Sequence, residues 1–476
     1  MNENVAIGGV SRQPRHGMSS VVYVLLLVVS LGLFLVIRSI GESLVPDVAL
    51  SAPPKMSATA SHILPQVLLT LVTVIVTARI LGTAFQWLGQ PRVIGEVVAG
   101  IVLGPSLLGR LSPEATSFLF PSSIMPILGV LAQLGVILYM FLVGLELNSE
   151  MLRSHAGSTV AISHASILAP FMLGAVLALG IYRTYAPTGV SFTSFALFMG
   201  VAMAITAFPV LARILTDLGI ERSALGVVAL SCAAADDVTA WCLLAFVVGV
   251  AQNDLHGAVI TLIMSAGYIA LMFGLARPGL ARWLGSATGM RLSNEVTAWV
   301  LVAVLTSSLI TEAIGIHAIF GAFLLGAIIP HDSDIARSFR RKLEDVVSIL
   351  LLPAFFAFTG ARTQIGLLSQ PYDWLICGII ILVATIGKFG GTVAAARFTG
   401  FDWRTSAALG VLMNTRGLME LIVLNIGLDM GVISPPLFAM MVLMALATTI
   451  ATTPILLSLY DPNHFAGTAP HEALTR

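Results

Sequence analysis

Charge is what this chain has least of. Only 10% of its 476 residues are Asp, Glu, Lys or Arg, with 24 basic and 24 acidic residues, against 57% hydrophobic. A soluble domain carries about a quarter charged residues, so a soluble enzyme and a disordered chain are excluded. No basic stripe exists to meet a nucleic acid. Cysteine is scarce too: Cys232, Cys242 and Cys377 lie inside apolar runs at no metal-ligand spacing, which points to neither a disulfide framework nor a zinc site. Alternating segments of about ten residues, the mark of an outer-membrane barrel, are missing. What the chain has instead is continuous apolar runs of about twenty residues, the length that crosses a bilayer. With a mean hydropathy of +0.96 it reads as an all-α polytopic membrane protein.

The runs fall at roughly 20–40, 63–88, 93–109, 126–147, 159–182, 193–216, 224–250, 257–275, 295–312, 315–330, 347–363, 375–397, 405–427 and 436–459. Residues 63–460 thus form a membrane domain of thirteen spans, preceded by a segment 1–62 and followed by a short tail, 461–476. The first run follows Arg12, Arg15 and His16 and resembles a signal peptide, but is read here as a retained extra helix. A polar loop with Pro46, Pro53 and Pro54 separates it from the rest. With the N-terminus in the cytoplasm, about sixteen basic residues fall on that side and about five (Arg38, Lys55, Arg110, Arg183 and Arg362) on the other. That asymmetry places both termini in the cytoplasm.

An ionisable residue at mid-bilayer costs about 2.5–3.5 kcal/mol on insertion scales, so each needs a reason. Asp236 and Asp237 sit in the middle of run 224–250, after Cys232-Ala233-Ala234-Ala235. Adjacent helical residues point about 100° apart, so one carboxylate can face a cavity while the other faces a packed helix. Two like charges this close resist joint ionisation, which suits carboxylates that trade protons for a metal cation and offer it hard oxygen ligands. Lys388 is mid-span in 375–397, too far from either end to snorkel, and wants a carboxylate partner in Asp236 or Asp237. It is also a candidate second proton carrier. Arg416 and Glu420 share a helix face at i,i+4, which favours a local ion pair with a structural or electrostatic role.

Two runs carry signs of interruption. In Ile205-Thr206-Ala207-Phe208-Pro209, Pro209 removes a backbone donor and frees carbonyls near Ile205, and Thr206 adds a hydroxyl. Asn414-Thr415 beside Gly417 marks a second polar break. Interrupted helices in the two halves of a hydrophobic chain point to a secondary transporter with inverted repeats and a midplane site. His317 is a candidate proton relay, although a lone His near a helix start is more often structural. Gln133, Glu146 and Glu312 are cavity or span-end polar groups, and Glu96 faces Arg92. A channel or an organic-solute exporter on the same scaffold is the alternative. An intramembrane aspartyl protease needs its two aspartates on separate helices facing one water, which adjacent residues do not supply.

Several of these runs resemble the monovalent cation:proton antiporter-2 family. They are Gln90-Pro91-Arg92-Val93-Ile94-Gly95-Glu96, Leu142–Leu147, Phe208-Pro209-Val210-Leu211-Ala212-Arg213, the Asp236-Asp237 helix, Gly315–Phe323, Pro353–Gly360 and Met413–Glu420, in family order over about residues 65–460. The resemblance implies a sodium/hydrogen exchanger fold of thirteen helices with two crossing broken helices, in which a core bundle moves against a dimerisation bundle. It implies that Asp237 binds cation and proton in turn, that Asp236 pairs with Lys388, and that exchange is electrogenic. It implies Na+, or else K+, as the cation, no cofactor, no enzymatic activity, and a homodimer in a bacterial inner membrane with the C-terminus cytoplasmic. Relatives gated by ligands for potassium efflux carry long cytoplasmic C-terminal regions, whereas about sixteen residues follow Tyr460 here, so such gating is not expected.

Overall fold

The computed structural model describes residues 58–146, 156–221, 223–251, 255–280, 294–330 and 333–459, with isolated positions between 28 and 36. The chain separates into two units, residues 1–61 and 62–476. Apart from those isolated positions, the expected N-terminal helix, most of the loop after it, the C-terminal tail and several connecting-loop arginines, Arg153 and Arg222 among them, lie outside the described residues.

The helices follow the apolar runs. They are Ala58–Trp87 (α1), Arg92–Leu103 (α2), Met125–Glu146 (α3), Ala156–Tyr185 (α4), Phe192–Ala204 (α5), Phe208–Asp217 (α6), Ala224–Ala251 (α7) and Leu255–Leu271 (α8). The second half adds Asn294–Ile314 (α9), Ala318–Ile328 (α10), Asp334–Val346 (α11), Leu352–Arg362 (α12), Pro371–Phe398 (α13), Trp403–Met413 (α14), Leu418–Asp429 (α15) and Pro435–Leu459 (α16). Among the described residues, 11 helices are long and apolar enough to cross a membrane. The pair α14 and α15, bent by 43°, makes a twelfth, and the short apolar α10 fills the remaining range expected between 63 and 460.

Two ranges differ from the hydropathy reading. The run at 347–363 belongs to a helix that starts at Asp334 and passes through a π-turn at Val347–Leu351. Its first part, α11, buries Ile335, Ala336 and Phe339 and turns its charges outward, and the Ser333 hydroxyl caps it by accepting from the Ala336 N–H at 3.1 Å. Charge on one face lowers the average hydropathy and hides such a helix from a window scan. The run at 315–330 loses its first turn. Gly315 at φ 96° and His317 at φ 65° take left-handed backbone between α9 and α10, which no helix continues through.

Packing sorts the helices into two groups. In one, α13 lies along α4, α14 and α16, α4 along α5, and α7 against α4, α5, α6 and α14. In the other, α10 lies along α3 and α9, and α12 along α2 and α3. Lipid tails supply no hydrophobic drive between helices, so close backbone approach does the holding. Gly100 and Gly360 are where α2 and α12 cross: a Cβ on Gly100 would strike the Phe356 carbonyl, and one on Gly360 would strike the Gly100 backbone. In the first group, Gly387 lets α13 ride against Pro170 of α4, which puts the neighbouring Lys388 inside the bundle.

Candidate functional site

The site is assembled where two helices stop short. Ser191 caps α5 by accepting from the Ser194 N–H at 3.1 Å, and α5 ends at Ala204. Pro209, in the first turn of α6, is incompatible with a helical carbonyl four residues earlier, at Ile205, so residues 205–207 are extended. The second interruption, residues 414–417, separates α14 from α15. The two breaks meet: the Ala207 N–H donates to the Thr415 carbonyl at 2.9 Å, and the Thr206 hydroxyl lies 3.0 Å from the Met413 carbonyl.

Beside this crossing runs α7, where three alanines and Cys232 leave room for neighbours to approach. Asp236 and Asp237 are each 1% exposed. Asp236 accepts from four donors: Ser163 Oγ at 2.6 Å, Ser166 Oγ at 2.9 Å, Thr206 Oγ1 at 3.0 Å and Lys388 Nζ at 2.9 Å. Lys388 also donates to the carbonyl of Ala204, the last residue of α5. Asp237 differs. Both of its carboxylate oxygens are buried without a hydrogen-bond partner among the described residues.

Arg416 occupies the second break and is wholly buried. Its guanidinium donates to the carbonyls of Ala202 and Met203, at 3.0 and 2.6 Å, and to Glu420 Oε2 at 3.0 Å. Its backbone N–H donates to Thr449 Oγ1 at 2.9 Å. Lys388 and Arg416 therefore take up the last three carbonyls of α5, the negative end of that helix dipole, while Glu420 stands in the first turn of α15, at a positive end. No water is at hand in a bilayer to satisfy these groups, so side chains do it.

The remaining expected residues are placed as follows. The backbone of Thr415 joins the crossing, but its hydroxyl points to Thr452 at 3.5 Å. Asn414 reaches Thr385 at 3.5 Å and leaves its Oδ1 without a partner among the described residues. His317 is not brought to the aspartates. It lines a cavity of about 40 Å³ with Gln133, Asn425 and Asp429, and its Nδ1 is buried without a partner among the described residues. Glu312 accepts from the Ala318 N–H at 2.7 Å. Glu96 lies 3.7 Å from Arg92, and Glu146, 41% exposed, lies 3.8 Å from Arg340. Cys232, Cys242 and Cys377 form no disulfide among the described residues.

Sequence reasoning overlooks Ser163 and Ser166. Their i,i+3 spacing in an apolar run is the available signal, since it puts two hydroxyls on one face of α4. It also overlooks a polar join between α12 and α15. There Arg362 donates to Asn425 Oδ1 at 3.0 Å and pairs with Asp429, and Asn425 donates to Thr359 Oγ1 at 2.9 Å.

Residues 71–458 match the family model described as sodium/hydrogen exchanger, transmembrane. The Na+/H+ antiporter NhaS4 of Synechocystis sp. is 45% identical over 403 residues, 84% of this chain and 98% of that protein. Cation/H+ antiporter 17 of Arabidopsis thaliana is 40% identical over 84% of this chain and 49% of its own length. The K+/H+ antiporter 1 of Saccharomyces cerevisiae is 33% identical over 83% and 46%. The chain thus spans about half the length of these plant and yeast relatives. The solved structure of the sodium proton antiporter MjNhaP1 from Methanocaldococcus jannaschii matches with a TM-score of 0.59 at 16% identity, over 86% of this chain and 100% of that one, a likeness of fold.

Proposed function

The chain belongs to the sodium/hydrogen exchanger family, and we propose that it is a secondary active antiporter exchanging a monovalent cation for protons at Asp237. It is a membrane protein of a transporter family. The observation that carries the reading is a charge imbalance. Asp236, Asp237, Lys388, Arg416 and Glu420 are each at most 1% exposed, and three acids face two bases. With all five ionised, one negative charge is left over, and the carboxylate without a partner is Asp237. One proton on Asp237, or one monovalent cation against it, neutralises the cluster. Binding of the two is therefore mutually exclusive, which is what couples their movements.

Asp236 is the fixed counter-charge in this reading, and Thr206, with the carbonyls freed at the break before Pro209, offers further oxygen ligands. Arg416 and Glu420 hold the crossing together, and Asn414 and Thr415 shape the second break. Exchange of one proton for one cation at Asp237 is electroneutral by itself; electrogenic exchange takes a second proton, which Lys388 carries and gives up as the cation arrives, with Asp236 staying the fixed counter-charge. Each net charge moved inward then contributes about 2.3 kcal/mol per 100 mV. Na+ is the favoured cation because the relative covered over nearly its whole length is named a Na+/H+ antiporter. We place the protein in a bacterial inner membrane as a homodimer with a cytoplasmic C-terminus, on the family resemblance and the basic-residue asymmetry.

In everted vesicles or proteoliposomes, added Na+ should dissipate an acid-interior gradient, saturably and reversibly, and Asp237→Asn should abolish this. An unchanged response in Asp237→Asn overturns the assignment. A response to K+ alone makes potassium the substrate, and a flux that neither saturates nor follows the pH gradient makes the protein a channel.

A further inference from the structure

We propose that the cavity between α13, α14 and α16 is a binding site for a neutral molecule dissolved in the bilayer, an alcohol or phenol with an apolar body, whose hydroxyl donates to Asn414. The cavity measures about 320 Å³, within the range of about 300–1,000 Å³ that small-molecule sites occupy. Its walls explain why it exists. Ala447 and Ala451, one turn apart on α16, leave space that larger side chains would fill. Gly410 takes the Phe389 ring against α14, where a Cβ would stand 2.8 Å from it, so the ring forms one wall. Ile381, Val411 and Ile455 complete an apolar lining, in which no described residue carries a charge.

One group in that lining is unmatched. Asn414, 8% exposed, has its Oδ1 buried without a partner among the described residues. Its Nδ2 lies 3.5 Å from Thr385 Oγ1, at the outer limit for an N–H donor. The hydroxyls of α16 in the lining are turned to their own helix: Thr448 donates to the Met444 carbonyl at 2.9 Å, and Thr452 to the Thr448 carbonyl at 3.0 Å. A buried acceptor left unmet is costly, and inside a bilayer water does not relieve it. An acyl chain covers apolar walls but leaves Oδ1 as it is, and an ester carbonyl only accepts. The partner that fits is a donor, and the uncharged lining selects a neutral one, which a hydroxyl on an apolar body supplies. Ile455 both lines the cavity and is 45% exposed, so the way in is from the lipid. Asn414 ends α14 next to Thr415, whose carbonyl takes the Ala207 N–H at the crossing, so an occupant touches the second break.

Photolabelling of the natural protein in proteoliposomes with a diazirine-bearing alkylphenol tests the site. Labelling should saturate, be displaced by the unlabelled alkylphenol, and map by mass spectrometry to cavity residues of α13 and α16, Phe389 and Ile455 among them. The methyl ether of the same probe keeps the apolar body but cannot donate, and should bind about five-fold more weakly, the equivalent of one hydrogen bond. Asn414→Leu should bind phenol and ether alike. Ala451→Phe, which fills the space, should abolish the saturable labelling. Labelling that rises in proportion to the probe without saturating, or that Ala451→Phe leaves unchanged, is contact with bulk lipid and overturns the site. Equal affinity for phenol and ether in the natural protein overturns the role of Asn414 and the proposal with it. If Asn414→Leu does not insert, the ether comparison and Ala451→Phe decide. Binding is what is read, so the outcome does not depend on the antiport reading.

Discussion

Lys388 and Asp236 lie 152 residues apart in the chain and 2.9 Å apart in space, with side chains 0% and 1% exposed. A buried pair of this kind gains little over an apolar pair of the same shape, because both ions have left water. Its presence is therefore better explained by function than by stability, and it creates a sharp liability when one partner is removed.

Lys388→Ala leaves Asp236 buried without its partner. It should destabilise the protein by about 3–5 kcal/mol, read as a lowered unfolding midpoint in detergent. Adding Asp236→Asn should recover part of the loss. A double variant less stable than Lys388→Ala by the full cost of Asp236→Asn would show that the two do not interact.

Arg416→Ala strips donors from the Ala202 and Met203 carbonyls and leaves Glu420 without its partner. A loss of about 3–5 kcal/mol is expected here too, with a low yield of monodisperse protein. Arg416→Lys should not rescue it, because one ammonium cannot span two carbonyls and a carboxylate as a planar fork does. Normal behaviour of the lysine variant in gel filtration and thermal melting counts against this account.

Arg362 and Asp429 join α12 to α15 with side chains 19% and 56% exposed, so the pair holds the protein together by only about 0–1 kcal/mol. α15 packs against α16 and α5, in the first packing group, and α12 lies in the second, so a transport cycle that moved one group against the other would have to break the pair. Asp429→Asn, which breaks the ion pair but keeps the Arg362–Asn425 hydrogen bond, should leave stability nearly unchanged and speed turnover by up to about five-fold, the rate equivalent of 1 kcal/mol. Flux measurements on that variant check this, and slower exchange with unchanged stability contradicts it.

Asp402 caps α14 outside the membrane spans, accepting from the Arg404 and Thr405 N–H groups at 2.9 and 3.1 Å. Partial burial pushes its carboxyl up, but hydrogen bonds from Thr405 and from the backbone outweigh this and hold it below the usual carboxylate range. The folded value is depressed, so the cap's stabilisation is complete above the unfolded value of about 3.9 and is lost as the pH falls through the lower folded one. Asp402→Ala should cost about 1 kcal/mol at neutral pH. Asp402→Asn, which caps without titrating, should remove that part of the acid sensitivity. Melting curves between neutral pH and pH 3 distinguish the two.

Much of the fold is legible in the chain because a bilayer leaves few choices. An apolar run of about twenty residues must be a helix whose backbone satisfies itself, and the runs from 63 to 460 locate the helices to within a few residues. The amphipathic α11 escapes because its charged face cancels its apolar one, and the backbone turn at Gly315–His317 because hydropathy does not see φ angles. Of the site, the i,i+4 spacing of Arg416 and Glu420 is enough to expect an ion pair, and Pro209 is enough to expect a break. His317 shows the limit: a polar residue in an apolar stretch marks a need for a partner, not the place where the partner stands.

The sequence by itself determined which residues carry charge into the membrane, because burial cost makes each one conspicuous against 57% hydrophobic composition. It also determined that two helices break and that Asp236 and Asp237 face different ways, since a helix turns about 100° per residue. Only the tertiary structure shows what each carboxylate meets. Ser163, Ser166, Thr206 and Lys388 come to Asp236 from three separate stretches of chain, while Asp237 meets none of them. Helical periodicity sets the angle between the two side chains, but how the neighbouring helices pack around α7 decides what each of them faces.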